Sequence, residues 1–129
     1  MSERVALQYP RRWWWLGLAG LLLIAALSLL PLRAAALAIP NGDKLNHCVA
    51  YIVLMLYFGQ LAGAHLRQRV SVIIGLIAYG VLIEASQSVM PPRTAEWADL
   101  AANLCGILIG LVLLRTPLGS LLVAVEQRF

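Results

Sequence analysis

The stretch DKLNHCVAY, Asp43 to Tyr51, places an acid, a base, an imidazole and a phenol at the head of an apolar run. At about 100° per residue, Asp43, Lys44, His47 and Tyr51 fall within an arc of roughly 100°, so a helix presents all four on one face. The same arithmetic groups Gly80, Glu84, Gln87 and Ser88 on one stripe and Asp99, Asn103, Gly106 and Gly110 on another. The chemistry open to such a set is acid–base work. His47 and Glu84 are of the right type to share a proton, with Asp43 or Asp99 orienting the imidazole, which makes His47, Glu84 and Asp99 the candidate catalytic residues. Arg93 follows Pro91 and Pro92 in a stiff loop and offers a planar fork to phosphate or carboxylate, and Lys44 adds a second, softer charge. Ser86 and Ser88 lie near Glu84 without the strand-to-helix elbow that activates a serine nucleophile.

A metal is the variant of this reading. Asp43 and His47 have the i, i+4 spacing that puts two ligands on one helical face, and Glu84 and Asp99 add oxygen donors. No zinc motif, cysteine cluster or phosphate-binding glycine loop accompanies them, so the leading reading holds no metal and no cofactor. Cys48 and Cys105 each fall near the same end of a helix, which allows a disulfide, although small buried thiols are the commoner use of such residues.

The elements that must position these residues follow from composition. The chain of 129 residues is 61% hydrophobic and 12% charged, and its mean hydropathy of +0.82 is too high for a soluble domain of this size. Runs near 13–31, 45–64, 70–90 and 98–115 approach or reach the 20 or so residues that cross a hydrocarbon core roughly 30 Å thick. There is no alternation suited to a barrel, and backbone in lipid must satisfy its own hydrogen bonds, so helices are the expected form. The expectation is an all-α polytopic membrane protein, a four-helix bundle forming a single domain over 1–129, with a short amphipathic tail that suits an interfacial helix or an extension of helix 4. The first run also has a basic lead, an apolar centre and an Ala-x-Ala-like end, the anatomy of a cleavable signal peptide. Its length and the belt of Trp13, Trp14 and Trp15 favour a retained helix.

Orientation follows from the cations. Arg4, Arg11, Arg12, Arg67, Arg69, Arg115 and Arg128 share one side of this topology, and Arg33, Lys44 and Arg93 the other. The positive-inside rule then places both termini in the cytoplasm, in a bacterial inner membrane. The net charge of +4 describes a rim beside lipid headgroups, which excludes a nucleic-acid partner. His65 falls in the cytoplasmic link.

Ionisable groups cost at least about 2.5 kcal/mol when they face hydrocarbon, so the polar stripes must point inward. Gly106 with Gly110, and Gly59 with Gly63, form small-xxx-small pairs that let backbones approach. The stripes should meet in a pocket open to the periplasm, walled by Asp43, Lys44, His47, Tyr51, Glu84, Gln87, Arg93, Asp99 and Asn103. The plainer alternative is capping: Asp43 and Asp99 suit the positive end of a helix dipole. Capping cannot explain Glu84, which sits about 9 Å inside the C-terminal end of its helix, on the wrong side of the dipole. It needs a cation or a proton, and Lys44, His47 and Arg93 are the partners on its side.

The succession Asp43-Lys44-x-x-His47-x-x-x-Tyr51, Glu84-x-x-Gln87, Pro92-Arg93, and Asp99-x-x-x-Asn103-x-x-Gly106-x-x-x-Gly110 resembles the VanZ-like membrane proteins. The resemblance runs from about 43 to 110, leaves helix 1 and the tail outside the motif, and departs locally at Glu96 and Trp97. That family is named for a glycopeptide-resistance accessory protein linked to teicoplanin, which acts on peptidoglycan precursors outside the membrane. The resemblance implies a cell-envelope setting and, as partners, membrane lipids together with a lipid-linked cell-wall precursor or a lipoglycopeptide. Three functions of different class remain: a binding or modulating protein, an outer-leaflet enzyme using His47, Glu84 and Arg93, and a structural or assembly subunit whose stripes lock helix register. Oligomeric state is open.

Overall fold

The computed structural model describes residues 6–29, 42–89 and 97–129, the side chains of Gly42 and Asp43 excepted. The described residues are helical and contain no strand. Helix α1 runs Pro10–Leu29, α2 Gly42–Ala62, α3 Leu66–Ser88 and α4 Trp97–Leu113; a 3-10 turn, Pro117–Ser120, then leads into a short α5, Leu121–Glu126. Three of these, α1, α2 and α3, are long and apolar enough to cross a membrane, and α4 joins them if it and the tail count as one bent span. At 1.5 Å per residue the 17 residues of α4 reach about 25 Å, a little short of a full hydrocarbon core.

Helices α1, α2 and α3 start three or four residues earlier than hydropathy predicts, because polar residues occupy their first turns, and α4 starts one residue earlier. Pro10 opens α1 with its φ already helical and no amide to leave unpaired. Gly63 stops α2. Its φ of +68° is the left-handed conformation of a helix C′ glycine, and its amide donates to the Gln60 carbonyl at 3.3 Å. That corrects the expected Gly59/Gly63 packing pair: a Cβ on Gly63 would meet nothing within 4 Å, whereas one on Gly59 would run into Leu114.

Helix α2 is central and packs most extensively against α4. Gly106 and Gly110 make that possible. A Cβ on Gly106 would collide with the Cys48 carbonyl, and one on Gly110 would come within 2.7 Å of Met55 Cβ. Backbone-to-backbone approach is therefore the seam between the two helices, and Met55 and Ile107, the most deeply buried large side chains, lie along it. Tyr51, Leu54, Phe58, Leu76 and Leu114 complete the core.

Helix α1 is held differently, with little burial of its own. Side chains from two other helices donate to its carbonyls: Tyr57 Oη to Trp13 at 2.5 Å, Tyr79 Oη to Leu21 at 2.6 Å and Gln87 Nε2 to Ser28 at 2.8 Å. The acceptors recur every two turns, so the bonds pin one face of α1 along its whole length.

The tail does not run straight on from α4. It turns by 82° after Leu113 and folds back across the end of the bundle, where Gln60 Oε1 of α2 accepts from the Leu122 amide at 2.9 Å. Glu126 then reaches the first residues of the described chain, accepting from the amides of Gln8 at 2.6 Å and Tyr9 at 3.0 Å and from the Trp13 indole at 3.1 Å. The two ends of the chain are thus clasped together. These donors, the Gln8 amide above all, then those of Tyr9, Trp13 and the nearby Arg12, hold the Glu126 carboxyl below its ordinary value against slight desolvation.

Candidate functional site

At the opposite end of the bundle, α2 begins, α3 ends and α4 begins, and the polar stripes converge there. Glu84, Asp99 and Asn103 are all buried, at 4%, 8% and 5% exposure, in a protein otherwise built from apolar contacts. His47 of α2 donates from Nδ1 to Asn103 Oδ1 of α4 at 3.1 Å. A carbonyl oxygen only accepts, so the proton of this bond sits on Nδ1. Asn103, which the sequence did not single out for this role, thus orients the imidazole; the Asp43 side chain lies outside the described residues.

One nitrogen of His47 and one carboxylate oxygen each from Glu84 and Asp99 lie within 4.8 Å of one another, so three separate helices each deliver a charged or titratable group to one point. Lys44 Nζ stands 4.0 Å from Asp99 Oδ1, a long ion pair on a partly exposed lysine. Among the described residues no hydrogen bond reaches that buried Oδ1.

Beside this cluster is a cavity of about 160 Å³ walled by His47, Asn103, Tyr51, Asn46, Tyr79 and Ser28, with Ile24, Ala50, Gly80 and Ile83. The Tyr51 hydroxyl is buried against it and finds no hydrogen-bond partner among the described residues. Gly80 makes room for that hydroxyl. A Cβ there would come 2.6 Å from Tyr51 Oη and 2.8 Å from Asn103 Nδ2.

Of the nine residues expected to wall a pocket, His47, Tyr51 and Asn103 do so. Glu84 and Asp99 join His47 in the cluster, Lys44 faces Asp99, and Gln87 points its amide at α1. The Asp43 side chain and all of Arg93, with Pro91, Pro92 and Glu96, lie outside the described residues. Sequence reasoning missed the walls supplied by Ile24 and Ser28 of α1 and by Tyr79 of α3. Ser28, a lone hydroxyl in an apolar run, was the available signal; Tyr79 sits next to Gly80 and was legible only as an aromatic in a helix. Cys48 and Cys105 are both free thiols.

The arrangement can hold a proton between two groups, hold a cation, or accept hydrogen bonds from a polar ligand. It belongs to an all-helical chain with three to four helices suited to a membrane and a buried polar cluster at one end. The VanZ/LLP1 family model matches residues 6–122, and the chain belongs to that family. The match takes in α1 and the start of α5, beyond the motif expected from the sequence. No curated protein and no solved structure matches the chain.

Proposed function

We propose that this VanZ-family protein lies in the bacterial inner membrane with both termini in the cytoplasm, and that its cavity receives the polar part of a lipid-linked envelope component from the periplasmic side. The observation that carries the reading is the Tyr51 hydroxyl. It is buried and has no hydrogen-bond partner among the described residues, on the wall of a cavity of about 160 Å³, space for more than a single water at about 30 Å³ each. Buried polar groups are costly in an apolar bundle unless a partner arrives. His47, Asn103 and Asn46 on the same wall supply further donors and acceptors for a hydroxyl-rich or charged headgroup.

The orientation rests on the arginines. Arg11, Arg12, Arg67, Arg69, Arg115 and Arg128 all belong to segments at the clasped end, where Glu126 meets Gln8 and Gln60 meets Leu122. Lys44 belongs to the polar end. That asymmetry matches the positive-inside rule. A lipophilic glycopeptide such as teicoplanin, the ligand suggested by the family's namesake, is the competing occupant.

The test pairs topology with binding. Reporter fusions at the two termini should report cytoplasm and one in the 30–41 connection periplasm. Protein in nanodiscs should bind a polyprenyl phosphate or teicoplanin, with Tyr51→Phe and His47→Ala each weakening it by about tenfold, the loss of roughly one hydrogen bond. Absence of binding to both probes, or affinity that both variants leave intact, defeats the reading.

A second reading is favoured by the meeting of His47 with Glu84: a membrane enzyme in which the two exchange a proton at a lipid-linked substrate. Turnover lost in both His47→Ala and Glu84→Gln would support it over simple binding, and turnover that survives both would remove it.

A further inference from the structure

We infer that His47, Glu84 and Asp99 form a binding site for one divalent transition-metal ion of the zinc class. The donors come from α2, α3 and α4, and one ligand atom from each lies within 4.8 Å of the others. A triangle of that size has its centre no more than roughly 2.8 Å from each corner, and metal bonds of about 2.0–2.2 Å need side-chain adjustments of no more than about 0.8 Å. One imidazole and two carboxylates make a nitrogen–oxygen donor set suited to zinc, with a position left for water or an incoming ligand.

Two further observations point the same way. Asp99 Oδ1 is buried without a hydrogen bond among the described residues, and its ion-pair partner, the Lys44 ammonium, stays 4.0 Å off on a side chain that is 29% exposed. A carboxylate meant for that lysine alone would accept a close bond from it. Asn103 Oδ1 accepts from His47 Nδ1 at 3.1 Å, the kind of outer bond that metal-binding imidazoles carry; it fixes the ring, and the ligand in this site would be Nε2. Lys44 swings outward as the ion enters. The site stands whatever the neighbouring cavity holds.

Tag-free protein, stripped with chelator in detergent, is equilibrated with zinc, and the bound metal is counted by elemental analysis while affinity is read by titration calorimetry. The expected result is one zinc per chain, weakened about tenfold or more by His47→Ala and lost in the Glu84→Gln/Asp99→Asn pair. Because those variants can misfold, Lys44→Gln is the decisive arm: removal of a competing like charge should tighten zinc binding about tenfold, a gain that misfolding cannot produce. A Cys48→Ala/Cys105→Ala background separates the site from zinc on the two free thiols. Zinc uptake by the parent chain no greater than that of the carboxylate pair overturns the inference. So does uptake that the thiol replacements abolish, or an affinity that Lys44→Gln leaves unchanged or lowers.

Discussion

Gly80 of α3 makes the space that the Tyr51 hydroxyl of α2 occupies: a Cβ at position 80 would stand 2.6 Å from Tyr51 Oη, inside van der Waals contact. The missing side chain on one helix and the buried hydroxyl on the other form a matched pair on the cavity wall.

Gly80→Ala therefore forces Tyr51 aside and should cost about 1–3 kcal/mol, the usual range for overpacking. Tyr51→Phe removes the closest atom of the clash, so the double variant should recover part of that loss. Unfolding in detergent of the two single variants and the double checks the coupling, and strictly additive effects would contradict it.

The α2–α4 seam makes a second pair of expectations. Gly110→Ala presses Cβ against Met55 Cβ at 2.7 Å and the Ile52 carbonyl oxygen at 3.0 Å, and backbone cannot step aside as a side chain can. A loss of about 1–3 kcal/mol is expected. Gly20→Ala meets nothing within 4 Å and should leave stability unchanged or raise it by up to about 1 kcal/mol through helix propensity. Measured side by side, the melting temperature should fall for Gly110→Ala and hold or rise for Gly20→Ala.

The His47–Asn103 bond joins α2 to α4 at the polar end. A double-mutant cycle with His47→Ala and Asn103→Ala should return a coupling of about 0.6 kcal/mol, the average for polar contacts between membrane helices. If the cluster serves a ligand more than the fold, replacing Glu84 by Gln should be neutral or stabilising while ligand binding falls. A purely structural role reverses that pattern, with stability lost and binding unaltered.

The clasp between Glu126 and the start of α1 depends on pH. The carboxyl is held below its ordinary value in the folded chain, so its contribution is fully present above the ordinary carboxylate range and is lost as pH falls through the depressed value. The Trp13 indole N–H resonance, donated to Glu126 at 3.1 Å, should shift over that acidic window. In Glu126→Gln the same resonance should stay put; an identical shift in both proteins would place its origin elsewhere.

Much of the molecule was legible before any coordinates. Hydropathy located all four long helices, and angular spacing put His47 and Tyr51 on one face, Gly80 and Glu84 on another, and Asn103, Gly106 and Gly110 on a third, because helical periodicity is a local property that each stretch carries in its own residues. The depth of Glu84 and its mismatch with the helix dipole were readable for the same reason. The family, too, was carried by the order of polar residues along the chain.

What the sequence determined by itself was which faces had to turn inward, since the cost of a charge in hydrocarbon is paid residue by residue. Only the tertiary structure decided which partner each face would meet. That Asn103 holds His47, that α1 lends Ser28 to the cavity, that Gln87 pins a helix, and that Glu126 clasps Gln8 are all consequences of relative helix rotation and of an 82° turn in the tail. Those quantities are set jointly by close backbone contacts, such as Gly106 against the Cys48 carbonyl, and no single segment encodes them.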